Sequence, residues 1–132
     1  MSRGDLTDAY LQRANLREAD LREAKLWRAN LQWTDLRKAD LQGARLEEAR
    51  LWGADLAGAD LRQARLWGVN LRETNLRETD LRETDLREAD LEGARLRGAN
   101  LLKALANGKT VWPDGFDWEA AGVVMEANGS TG

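Results

Sequence analysis

The chain has 132 residues, 33% of them charged, yet Lys+Arg 20 against Asp+Glu 23 leave a formal net charge of only −3. Cys and His are both absent, which excludes a thiol nucleophile, a disulfide framework, a Cys/His zinc cluster and an imidazole base. The near balance of charge gives no global reason to expect nucleic acid or an anionic membrane as a partner, and no apolar run nears the roughly 20 residues of a membrane span.

The opening residues Met1-Ser2-Arg3-Gly4-Asp5 carry no apolar stretch, so no signal peptide is expected, and a cytoplasmic location follows by elimination. From Leu6 to Leu101 leucine then occupies every fifth position, twenty times without a miss. The residue two before each Leu is small. It is Gly4, then Ala in most units, with Thr34, Thr74, Thr79, Thr84 and Val69 as β-branched variants. The residue just before Leu is most often Asp or Asn, and the two after it are mostly polar, as in Arg72-Glu73 and Arg82-Glu83. The unit is small–(Asp/Asn)–Leu–x–x.

Abundant Ala, Leu, Arg and Glu favour a helix on propensity. The period opposes it. At about 100° per residue, a step of five carries the leucines round the whole circumference and leaves no apolar stripe. A flat strand fails as well, because an odd step sends successive leucines to opposite faces. Every Leu stays inside only if the chain turns a corner in each unit. Four corners close a square, and the fifth unit stacks on the first.

On these residues the chain resembles the pentapeptide-repeat family, over about Asp5 to Leu102. The resemblance implies an all-β fold, a right-handed quadrilateral β-helix of about five coils. The central Leu and the small residue two before it would both point inward. At the strand spacing of about 4.8 Å the tower would stand roughly 24 Å tall.

After Leu101 the pattern decays. Leu102 to Gly108 reads as a short helical turn stopped by Gly108, and Glu119 to Met125 as a second short helix. Pro113-Asp114-Gly115 is a turn signal. The stretch Thr110-Val111-Trp112-Pro113-Asp114-Gly115-Phe116-Asp117 is similar to a segment that closes bacterial members of the family, with Trp118 as the departure. Trp112, Phe116 and Trp118 are expected to plug the apolar end of the tower, since solenoids need caps. The expected organisation is a repeat domain over 1–102, a cap with a helical turn over 103–127 and a disordered tail over 128–132.

With four units per coil, residues twenty apart form columns on the outer wall. Asp20, Asp40, Asp60, Asp80 and Asn100 make one column before Leu, where Asp and Asn suit local backbone hydrogen bonds. Arginines flank it and are expected to pair with Glu18, Glu23, Glu78 and Glu83. In another column the rule breaks, and Lys25, Arg45 and Arg65 form a small basic ladder. Trp27, Trp52 and Trp67 each follow a Leu, and Trp33 lies two after Leu31. All four should point outward on two adjoining faces beside the ladder. Trp with Arg is the common chemistry of a protein-binding hot spot.

No catalytic constellation is present. Carboxylate pairs such as Glu47-Glu48 fall on a convex wall, and glycines two after Leu are turn residues rather than a phosphate loop. The expectation is therefore no enzyme, no cofactor and no metal. The function read from the sequence is a rigid scaffold or protein-interaction module. Its candidate surface is Trp27, Trp33, Trp52, Trp67, Lys25, Arg45 and Arg65, its partner another protein rather than nucleic acid or membrane, and its state a monomer rather than a homodimer. The alternative, implied by the resemblance alone, is a duplex-DNA mimic that binds a type II topoisomerase (gyrase). Residues 1–102 hold 18 Lys+Arg and 19 Asp+Glu, a net of −1, which makes a poor copy of DNA.

Overall fold

A unit of five residues has five backbone N–H groups to satisfy; four of the bonds recur along the tower, and the fifth forms wherever Asp or Asn precedes Leu. In the computed structural model, which describes residues 4–127, the unit around Leu61 shows the scheme. The Leu61 N–H donates to the Asp80 carbonyl one coil on, at 2.8 Å, and the Asp60 N–H donates to Ala39 of the preceding coil, at 3.0 Å. The Gln63 N–H donates to Arg82 at 3.0 Å, and the Ala64 N–H closes a turn onto Leu61 at 3.0 Å. The fifth, on Arg62, donates to the Asp60 carboxylate at 3.1 Å. Complete pairing of this kind is what buried backbone demands.

One residue per unit, the one before Leu, pairs with its counterpart twenty positions on. Parallel bridges run Asp5 to Lys25 to Arg45 to Arg65 to Asp85, and likewise on the other three faces. The sheets are therefore four parallel ladders whose strands last a single residue before the corner. The corner is a turn whose second central residue is left-handed. Every residue two after a Leu of the repeat has φ between 52° and 75°, whether glycine, as at Gly58, or not, as at Glu78 and Trp33. No β-branched residue stands at any of these places, where it would be most strained.

This geometry sends the leucines and small residues inward. Leu26 to Leu91 are buried without a break, and the Ala, Thr or Val between them are equally enclosed. The buried Thr hydroxyls are all satisfied. Thr34, Thr74 and Thr84 donate to the Leu three residues earlier, and Thr79 donates to Leu56 in the coil before. In the first described coil Leu6, Leu11 and Leu16 are only partly buried and pack against the same core.

The C-terminal segment differs from the sequence reading. No helix forms there. Leu102 to Gly108 instead continues the coil register, with Lys103 at the left-handed corner and Ala106 fully buried where a Leu would stand. Strand β1 (Leu105–Ala106) then pairs in parallel with β2 (Val124–Met125). Pairing with a ladder already in place outweighs the helix propensity of a few residues. Over 119–125 a single turn closes, with Ala121 N–H donating to Asp117 and Gly122 N–H to Glu119, before Gly122 at φ 85° and the β2 pairing end it. The loop between β1 and β2 lies over the last coil. Trp112, Phe116 and Trp118 pack against the leucine core, and the rings of Trp112 and Phe116 stack with centroids 5.4 Å apart. The expected tail at 128–132 lies outside the described residues.

Candidate partner-binding surface

The outer wall is built from the residues before and after each Leu. On the face of Leu21, Leu41, Leu61 and Leu81 it is a neutralised lattice. Arg62 grips Asp60 with two nitrogens, at 2.9 and 2.6 Å, and lies 3.7 Å from Asp80 in the next coil. Arg22 does the same with Asp20 and approaches Asp40. Arg37–Asp35 and Arg87–Asp85 repeat the clasp on other faces. These arginines thus pair with the Asp two residues back, and no such clasp joins them to Glu18, Glu78 or Glu83 among the described residues. The reason is geometric. Residues before and after a Leu stand side by side, whereas Glu18, Glu23, Glu78 and Glu83 stand round the corner. In the clasps of Asp20 and Asp35 the guanidinium and the backbone N–H hold the acid in its charged form, and both carboxyls are lowered to about 2.

The face of Leu6, Leu26, Leu46, Leu66 and Leu86 is different. Lys25, Arg45 and Arg65 bridge through their backbones in one column. Among the described residues none of the three forms an ion pair. Beside them runs Trp27, Glu47, Trp67. The Arg45 guanidinium lies 5.9 Å from the centre of the Trp27 ring, within reach of a cation–π contact. Glu47 stands between the two tryptophans in register, with its Oε1 enclosed and without a hydrogen-bond partner among the described residues. A shallow groove runs along the adjoining corner, over Gly43, walled by Glu23, Lys25, Arg45, Gln63 and Arg65.

The structure separates the four tryptophans into two kinds. Trp27 and Trp67 are half-buried along the first face, whereas Trp33 and Trp52 on the next face are 52% and 44% exposed. Trp33 is seated on the corner above it. A Cβ added to Gly53 would meet the indole at 2.4 Å.

The preference for Asp or Asn before Leu has the physical reason expected from the sequence, and its cationic exceptions, Arg50 and Arg95 among them, fall beside tryptophans more often than the sequence reading used. In all fourteen described repeat units with Asp or Asn before Leu, that side chain accepts the N–H of the residue after Leu, as Asn30 does for Gln32 and Asp55 for Ala57. Lys25, Arg45, Arg50, Arg65 and Arg95 cannot accept. Three tryptophans follow such a cation directly across the Leu, in Lys25-Leu26-Trp27, Arg50-Leu51-Trp52 and Arg65-Leu66-Trp67. Arg50 therefore belongs with the candidate residues.

The comparisons agree with this architecture. The family model for pentapeptide repeats matches residues 5–43, 39–77 and 64–101. The crystal structure of HetL, a pentapeptide repeat protein involved in heterocyst differentiation regulation from the cyanobacterium Nostoc, is 38% identical with a TM-score of 0.79. The match covers 80% of this chain and 46% of HetL. Rfr23, a pentapeptide repeat protein from the cyanobacterium Cyanothece, is 38% identical with a TM-score of 0.71, over 71% of this chain and 64% of Rfr23. The chain thus spans less than two thirds of the length of either. QnrB1, a plasmid-mediated fluoroquinolone resistance protein, is 18% identical with a TM-score of 0.40. No curated protein matches the sequence. With the repeat model matched across the tower, this chain is a member of the pentapeptide-repeat family.

Proposed function

We propose that the chain is a non-catalytic, rigid protein-interaction module that presents two adjoining faces of its tower to another protein. The observation that carries the reading is the contrast between faces. One wall spends its arginines on its own aspartates, while Lys25, Arg45 and Arg65 form no ion pair among the described residues and stand beside Trp27 and Trp67, with Trp33 and Trp52 exposed round the corner. Large aromatic side chains next to arginine supply most of the energy in protein interfaces. A tower filled by leucine offers no interior pocket for a substrate, and the grooves on its wall are shallow. The same clasps argue against mimicry of duplex DNA, because the aspartates that would copy phosphates are neutralised by their own arginines.

The test is capture from a native lysate on immobilised wild-type protein and on the variant with Trp27, Trp33, Trp52 and Trp67 all changed to Ala. The reading expects a protein retained by the first and lost by the second, with nearly equal urea midpoints. A variant that unfolds much earlier would show the tryptophans to be structural and would end the proposal. Inhibition of gyrase supercoiling at micromolar protein would favour the topoisomerase reading instead.

A further inference from the structure

We infer that the column Lys25–Arg45–Arg65 is a docking track for an extended acidic segment of a partner protein, a reading that rests on the interaction role proposed above and names the partner's chemistry. The argument begins with a cost. Asp or Asn in this place gives the wall a hydrogen bond to the N–H across the Leu, and fourteen described units take it. At Trp27, Glu47 and Trp67 that N–H has no such acceptor, because a cation stands where the acceptor would be. The three cations are also stacked at successive coils, about 4.8 Å apart, where like charges repel. Among the described residues no ion pair relieves the repulsion. A site that departs from the local rule at a loss in stability is where function is expected.

The track has defined ends. In the same column the cations are flanked by Asp5 and Asp85, whose carboxylates face Lys25 and Arg65 electrostatically across one coil. The positive run between them is only about 10 Å long. That is too short to follow the phosphates of a nucleic acid through the turns that give such binding its strength. It matches three to four residues of extended chain, at about 3.4 Å each. Two acidic side chains separated by one residue lie about 7 Å apart on the same side of such a chain, within the run of about 10 Å that the three cations span. The shallow groove over Gly43 leaves room for the segment's backbone beside the cations. Trp27 and Trp67 border the other side and take apolar side chains or the flat faces of peptide groups.

The test uses the whole chain and a labelled peptide of alternating Glu and Ser, followed by fluorescence anisotropy, with an alternating Lys and Ser peptide as control. The variant carries Lys25→Asn, Arg45→Asn and Arg65→Asn, because Asn already fills this place at Asn30, Asn70 and Asn75. The expected result has two parts. The acidic peptide binds the wild type, weakens as salt rises and binds the variant about tenfold less, while the variant unfolds at higher urea than the wild type. A structural ladder predicts the opposite shift in stability, so a lower urea midpoint overturns the inference. Equal binding by both proteins overturns it too, as does tighter binding of a single-stranded oligonucleotide of equal charge. If the acidic peptide fails to bind yet the four-tryptophan variant still loses its protein partner, the acidic class is refuted and the interaction role stands.

Discussion

The indole of Trp33 lies directly over Gly53, so close that a methyl group on that glycine would sit 2.4 Å from the ring. Both residues are at left-handed corners, with φ of 61° and 71°. The pair explains why a bulky aromatic is tolerated at a corner: the corner one coil above is bare. Gly53→Ala should therefore cost about 1–2 kcal/mol, from the strained backbone and the displaced ring together. Trp33→Ala in the same chain should recover the part due to the ring. Urea denaturation of the two single variants and the double variant checks this. A double variant no more stable than Gly53→Ala would show that the indole makes no demand on the glycine.

The leucine column sets the scale of tolerance in the core. Leu56 sits in the middle coil and is wholly enclosed. Leu56→Ala should lose about 2–5 kcal/mol, since the backbone ladders on four sides hinder collapse of the cavity. Leu56→Arg should abolish folding, because the tower has no water-filled interior in which to place a charge. Circular dichroism and urea denaturation report both outcomes, and a cooperatively melting Leu56→Arg protein with the wild-type spectrum would refute the packing described here.

The fold was readable because a period of five is incompatible with both a helical stripe and a flat strand, so Leu6 to Leu101 admitted few geometries. The columns of the outer wall followed from four units per coil, and Lys25, Arg45 and Arg65 fell into line. What escaped was decided by side-by-side contacts rather than by period. Arg62 reaches Asp60 across Leu61 instead of a glutamate, because both stand on one face. The half-burial of Trp27 is set by neighbours one coil away, among them Arg45, whose guanidinium lies 5.9 Å from its ring centre. At the end of the tower, Leu102 to Gly108 has helix-forming composition but lies next to a ladder of unpaired backbone groups. Local propensity of about half a kcal/mol per residue yields to those bonds.

The bond from Asp to the N–H across the Leu should be separable from the ion pair that accompanies it. Asp60 makes both: its carboxylate accepts the Arg62 N–H at 3.1 Å and clasps the guanidinium at 2.6 Å. Asp60→Asn keeps the first and loses the charge. It should cost under about 1 kcal/mol, as partly exposed ion pairs do. Asp60→Ala loses both and leaves the N–H without an acceptor, a further loss of about 1 kcal/mol. The difference between the two variants in urea denaturation measures the backbone bond. If Asn and Ala cost the same, that bond contributes nothing, and the argument from its absence at Lys25, Arg45 and Arg65 weakens with it.

The Asp–Arg clasps also fix the direction of the pH response. The Arg22 guanidinium and backbone N–H lower Asp20 from the ordinary 3.8 to about 2, and Arg37 does the same for Asp35. For Asp85 burial pushes upward, but the bonds from Arg87 outweigh it and the net shift is downward. A carboxylate depressed in the folded state contributes stability that is fully present above its unfolded value and is lost as pH falls through its folded one. The urea midpoint should thus hold level from neutral pH to about 5 and fall between about pH 4 and pH 2. Added salt should flatten that fall, since the pairs are largely exposed. The Asp20→Asn, Asp35→Asn double variant should start lower at neutral pH and lose less on acidification. A midpoint that rises as the pH drops would mean that carboxylate repulsion along the Asp20–Asp40–Asp60–Asp80 column outweighs the clasps, and the wall would then be under strain rather than neutralised.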